Sequence, residues 1–312
     1  MKKLYKKLFI FISIFALMIL ACLKLSTREP YRTWAAQLTD SNSFITGNVG
    51  SDEIKPYINK VRSEDGTTRL IVGDSVCRQL FVGLQQYNKD IAIVGSNAAI
   101  TMAGQYILVS EYIANHENAT DVYLILLPDT LCRTFDTKWG YQYTVMPFVE
   151  TDTLQLLDEK TIASMESVYG KFFMKEPVVT AIDKSGVNRK LYLNILKDIS
   201  DGYEQESKFE IAELYINKMY EICQKNGVKL HLYACPMPET RQEEMKTFRE
   251  QYKETTLYDI FPDFLENLTY FPPEEAADGV HFSGDYANQS CYNEKIDQML
   301  SDKELGQIIK KE

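Results

Sequence analysis

At 312 residues the chain is long enough for one large domain, and its 45% hydrophobic and 25% charged residues exclude a disordered or fibrous class. The net charge of −10 is unevenly placed: six of the 34 basic residues fall in residues 1–28, which hold no acid, so 28 bases face all 44 acids beyond them. A body that acidic argues against nucleic acid as a partner. The six cysteines form no C-x-x-C pair and no Cys/His cluster with zinc spacing, and they read as small buried hydrophobes. No metal site, cofactor motif or internal repeat stands out, and oligomeric state is not readable.

Lys2, Lys3, Lys6 and Lys7 precede an apolar run, Leu8 to Leu23, closed by Lys24. A basic flank followed by such a run marks a signal anchor or signal peptide. The reading adopted is a cytoplasmic tail at 1–7 and a transmembrane anchor helix at 8–25, with the body outside the membrane. A lipoprotein modified at Cys22 and a cleaved signal stay open as alternatives. Residues 26–64 are polar and read as a stalk with one short helix near 52–62. A domain at 65–312 follows.

Leu70-Ile71-Val72 is an apolar extended run that stops at Gly73-Asp74-Ser75, and the next residues look helical. A turn there would lie at the carboxyl end of a sheet, where open α/β folds place their ligands. Asp74 and Ser75 are also ordinary helix caps. Further short apolar runs at Ile91–Val94, Asp121–Leu127 and Lys229–Ala234 alternate with helical stripes, one through Met102, Tyr106, Val109 and Ile113, another through Ile211, Leu214, Tyr215, Met219 and Ile222. That alternation predicts an α/β fold with a parallel sheet. His231 reads as a packed or solvent-facing strand residue. Residues 129–206 break the rhythm and read as a helical insertion, with helices near 153–168 and 186–199. Its aromatics (Phe135, Trp139, Tyr141, Tyr143, Phe148) suit sugar stacking or core packing equally. Glu239 to Lys253 reads as a charged surface helix, Leu257–Ile260 as a short last strand, and the chain ends in a helix carrying Ile296, Met299 and Leu300.

Before that helix, Asp278 and His281 stand three apart in a turn. At this spacing a carboxylate can hold the imidazole Nδ1–H, leaving Nε2 to take a proton from a serine. Gly73-Asp74-Ser75-Val76 early in the body, together with Asp278-Gly279-Val280-His281 late in it, resembles the SGNH (GDSL-type) hydrolase superfamily. The resemblance implies a three-layer α/β/α sandwich with a flavodoxin-like central parallel sheet. It implies Ser75 as nucleophile, His281 as base and Asp278 as its acid, and Gly95 after the second strand as an oxyanion-hole donor. The superfamily's third block departs: Leu127-Pro128-Asp129-Thr130 has no asparagine, and one missing donor costs about 3–4 kcal/mol of transition-state stabilisation. Asn97 is the substitute donor expected here. Membrane-anchored relatives that acylate alginate or teichoic acid add transfer to hydrolysis as an expectation. The function implied is a membrane-anchored serine esterase or O-acyltransferase acting on acyl esters, acetyl above all, of envelope polysaccharide or on small esters. The alternative is a weakly catalytic or inactive relative that binds envelope polymers.

Overall fold

The structure is a computed structural model and describes residues 2–26, 51–81, 90–96, 100–135, 140–183, 207–266 and 268–283. The chain divides into two compact units, Met1–Asp52 with Asp136–Tyr203, and Glu53–Phe135 with Glu204–Glu312.

The second unit is built on a four-stranded parallel sheet. Its strands are β1 (Arg69–Gly73), β2 (Ile91–Gly95), β3 (Asp121–Leu126) and β4 (Lys229–Ala234), in the order β2-β1-β3-β4. These are the four apolar runs of the sequence. Leu70, Ile71 and Val72 of β1 and Val122 to Leu126 of β3 are buried without alternation, because a parallel sheet is covered on both faces. Helix Met102–Asn115 packs on β1 and on helix Glu210–Lys225, which in turn packs on β4. The protein is therefore α/β with a parallel sheet.

Two expectations need correction. The linker read as running to residue 64 ends sooner: helix Ser51–Arg62 buries Ile54, Ile58 and Val61, at steps of four and three, within this unit. Leu257–Ile260 is no strand but lies in helix Thr256–Ile260. Only Leu257 of the four is buried, so the alternation a half-buried strand needs is missing. Thr256 N–H donates to Glu213 Oε1 at 2.8 Å, and Pro262 follows the helix end. The charged helix starts as a 3-10 turn, Glu239–Arg241, and continues as Gln242–Tyr252. Most of its residues are exposed, as expected of a charged surface helix, and Met245, Phe248 and Tyr252 form its one buried stripe. Two short strands, β5 (Met237–Pro238) and β6 (Tyr270–Phe271), pair in parallel beside it.

The first unit holds helix Lys2–Ser26 and the short helices Met146–Glu150, Glu159–Tyr169 and Glu176–Asp183. Lys3–Ala21 has a mean hydropathy of 2.1 and is not buried by the rest of the chain. At 25 residues the helix spans about 37 Å, enough for a bilayer core of about 30 Å, and it fits an anchor or a signal sequence alike. Tyr141, Tyr143 and Phe148 are buried, as is Phe135 in the second unit, so core packing accounts for these aromatics and leaves no exposed stacking surface on them. Trp139, the helix expected near 186–199 and the C-terminal helix lie outside the described residues.

Candidate active site

The site forms where β1 ends. Gly73 closes the strand, Asp74 turns the chain and Ser75 opens helix Ser75–Phe81. Asp74 is fully buried and its carboxylate takes four donors. Val76 N–H at 3.0 Å and Cys77 N–H at 3.2 Å donate to Oδ1, the arrangement of a helix cap. Leu127 N–H and the Thr130 hydroxyl, each at 2.7 Å, donate to Oδ2. Burial pushes the Asp74 carboxyl up, and the four donors pull against that shift. The block after β3 thus has a structural job that its missing asparagine conceals: Leu127 and Thr130 pin the turn that presents Ser75. Asp129 of the same block pairs with Arg241 at 2.9 Å. Thr130 was not singled out from the sequence, and the signal that could have found it is a hydroxyl just past a strand end, facing a buried aspartate.

Two glycines let the helix sit this close to the sheet. Gly73 and Gly95 are partners in the β1–β2 register. A Cβ on Gly73 would collide with the carbonyl oxygen of Ile125 and come within 2.7 Å of Cys77 Cβ; one on Gly95 would lie 2.6 Å from the backbone N and Cα of Arg78. The structure thus supplies a packing reason for Gly95. Gly73 O accepts from Ser96 N–H just past β2 at 3.0 Å and from Gln105 Nε2–H of helix Met102–Asn115 at 3.1 Å, and the two bonds hold the strand end. Asn97 lies outside the described residues.

The structure brings Ser75, His281 and Asp278 together. Ser75 Oγ is 2.8 Å from His281 Nε2, and His281 Nδ1 is 2.8 Å from Asp278 Oδ2. A carboxylate only accepts, so Nδ1–H is the donor to Asp278. In the neutral ring Nε2 is then the acceptor, and the Ser75 hydroxyl donates to it. The other carboxylate oxygen, Asp278 Oδ1, accepts from the backbone N–H groups of Val280 and His281, each at 2.8 Å. Partial burial works against ionising Asp278, but those two N–H groups and the imidazole outweigh it and hold the carboxyl below the usual aspartate range. Ser75 is 5% exposed, while the side chains of His281 and Asp278 are 32% and 55% exposed. The serine is recessed and the acid faces solvent.

The other histidines are engaged elsewhere. His116 Nδ1–H meets Tyr112 O at 2.9 Å and its ring stacks on Tyr112. His231, as expected of a packed strand residue, bonds Asp121 at 2.9 Å and stacks on Tyr123. Burial, reinforced by the charge of Asp74, raises the Cys77 and Cys235 thiols well above their ordinary range, so neither offers a thiolate beside Ser75. Among the described residues no cluster of His, Cys, Asp and Glu could hold a metal ion.

No family model matches the chain. No curated protein matches it either. Among solved structures, a Streptococcus pneumonia protein provisionally named a platelet activating factor is similar at 14% identity, over 86% of this chain and 98% of that one, with a TM-score of 0.34. A likeness that loose carries no argument about fold or chemistry, which rest on the residues themselves.

Proposed function

We propose that this protein is a serine esterase or O-acyltransferase of the SGNH type, with the three-layer sandwich that type implies, held at a membrane by its N-terminal helix with the catalytic unit outside. The observation that carries the reading is the hydrogen-bonded series Ser75–His281–Asp278 at the carboxyl end of a parallel sheet. Ser75 Oγ attacks the ester carbonyl carbon while His281 Nε2 takes the hydroxyl proton. Asp278 fixes the ring tautomer and stabilises the imidazolium. The tetrahedral intermediate collapses, the C–O bond to the alcohol breaks, and His281 returns the proton to the leaving oxygen. Water, or a sugar hydroxyl, then attacks the acyl-serine with His281 again as base. Val76 and Cys77 N–H are taken by Asp74, so the Ser75 N–H is the donor of that turn left for the oxyanion. In this proposal Gly95 and the Asn97 amide supply the rest, and Asn97→Ala lowers kcat. Acyl esters of envelope polysaccharide are the proposed substrate class, since an extracytoplasmic site faces them.

Turnover of an activated acetyl ester by the full-length protein in detergent tests the reading. Ser75→Ala and His281→Ala should each lower kcat on the order of a thousandfold or more. Turnover unchanged in both variants would remove the serine mechanism. Acylated sugar formed from an added oligosaccharide separates transfer from hydrolysis.

A further inference from the structure

We infer that Gln79 is a positioning residue that sets His281 against Ser75; the inference rests on the serine chemistry proposed above. Gln79 stands one helical turn after Ser75, on the same face of helix Ser75–Phe81. It is half-buried, and its primary amide reaches a segment 203 residues away. Gln79 Nε2–H donates to Phe282 O at 3.2 Å, and Phe282 N–H donates to Gln79 Oε1 at 3.2 Å. The amide therefore meets both backbone groups of the residue that follows His281, in the manner of a strand partner. A two-point bond of this kind fixes orientation as well as distance.

The rest of the His281 segment is organised around the same residue. Phe282 is 1% exposed and its ring lies 4.4 Å from that of Phe271 on β6. Phe282 also bridges Ala276, and Ser283 N–H donates to Glu275 O at 2.8 Å. Ala277 N–H donates to His281 O at 2.8 Å. These bonds shape the segment internally and fasten it to β6. The Gln79 amide ties it to the helix that begins with Ser75, so the nucleophile and its base share one short frame. The chemistry asked of Gln79 is specific: one donor and one acceptor on a single planar group. Leucine keeps the shape and has neither. Glutamate offers both only when protonated, and once ionised it sets a negative charge against the Phe282 carbonyl.

The experiment follows phosphonylation of Ser75 in the full-length protein by a fluorophosphonate, in which the Oγ–P bond forms, fluoride leaves and His281 takes the proton. Gln79→Leu should react at least tenfold more slowly, yet reach the wild-type stoichiometry at the end point, and its KM for an activated acetyl ester should stay near that of wild type. A packing defect would instead lower the end point, because part of the protein would be unfolded. Gln79→Glu provides the second signature: its labelling rate relative to wild type should rise as the pH falls and the new carboxyl gains its proton. A Gln79→Leu variant that labels at the wild-type rate, or a Gln79→Glu ratio that is flat with pH, overturns the positioning role and leaves the serine mechanism standing. A wild-type protein that takes no phosphonate at Ser75 overturns both.

Discussion

Asp278 is the most exposed group of the three that meet at the site, and its charge is the one most firmly set by local bonds. Its carboxyl is held below the usual aspartate range, so it stays ionised through the acidic range in which an imidazole gains its proton. The acid limb of kcat/KM should therefore not report Asp278. Asp278→Asn should lower kcat by on the order of 10²–10⁴-fold, because an amide nitrogen facing Nδ1 favours the wrong tautomer. A pH–rate profile of that variant matching wild type in height would contradict the assignment. Thr130→Val tests the buried anchor beneath the serine. It removes one of four donors to Asp74 and should cost about 1–3 kcal/mol in denaturant unfolding, with a fall in kcat as the turn loosens. An unmoved unfolding midpoint would show that the bond contributes nothing.

At the scale of elements, the close seat of helix Ser75–Phe81 depends on two missing Cβ atoms. Gly95→Ala would press on the Arg78 backbone, which cannot move without moving the helix that carries Ser75. The expected cost is about 1–3 kcal/mol, seen as a lower thermal midpoint, with slower turnover. A midpoint equal to wild type would mean that the helix can shift freely. The four sheet strands were legible because each is a short apolar run bounded by turn residues, and burial on both faces of a parallel sheet writes such runs plainly. The positions that meet at Ser75 were legible too, since a serine at a strand end and an Asp-x-x-His turn are local patterns. What holds them was not. Thr130 and Gln79 act through contacts with residues 56 and 203 positions away, and no local pattern marks a hydroxyl or an amide for such a partner. Leu257–Ile260 misled because four residues with two aliphatic ends look the same in a strand or in one turn of helix.

At the scale of the molecule, aspartate–histidine pairs lie at both ends of the sheet. At its amino end Asp65 meets His116 at 3.2 Å and Asp121 meets His231 at 2.9 Å. Partial burial opposes ionisation of both carboxyls, but bonds from Thr67 to Asp65 and from His231 to Asp121 leave each below the usual range. A depressed carboxyl adds stability above its unfolded pKa and loses it as pH falls through the folded one. Asp65, Asp121 and Asp278 share that sign, whereas the raised Asp74 has the opposite one and loses its contribution as pH rises. Acid unfolding should thus set in at or below the ordinary aspartate range, and Asp65→Asn with Asp121→Asn should flatten its dependence on pH. An acid transition with the same slope in that double variant would refute the attribution.

The serine mechanism stands on one covalent species. Full-length protein mixed with an activated acetyl ester and quenched in acid should carry a single added acetyl group, mapped by peptide mass to Ser75, accumulating in wild type and absent from Ser75→Ala. Turnover of the ester with no adduct on Ser75, or an adduct on another residue that persists in Ser75→Ala, would contradict it.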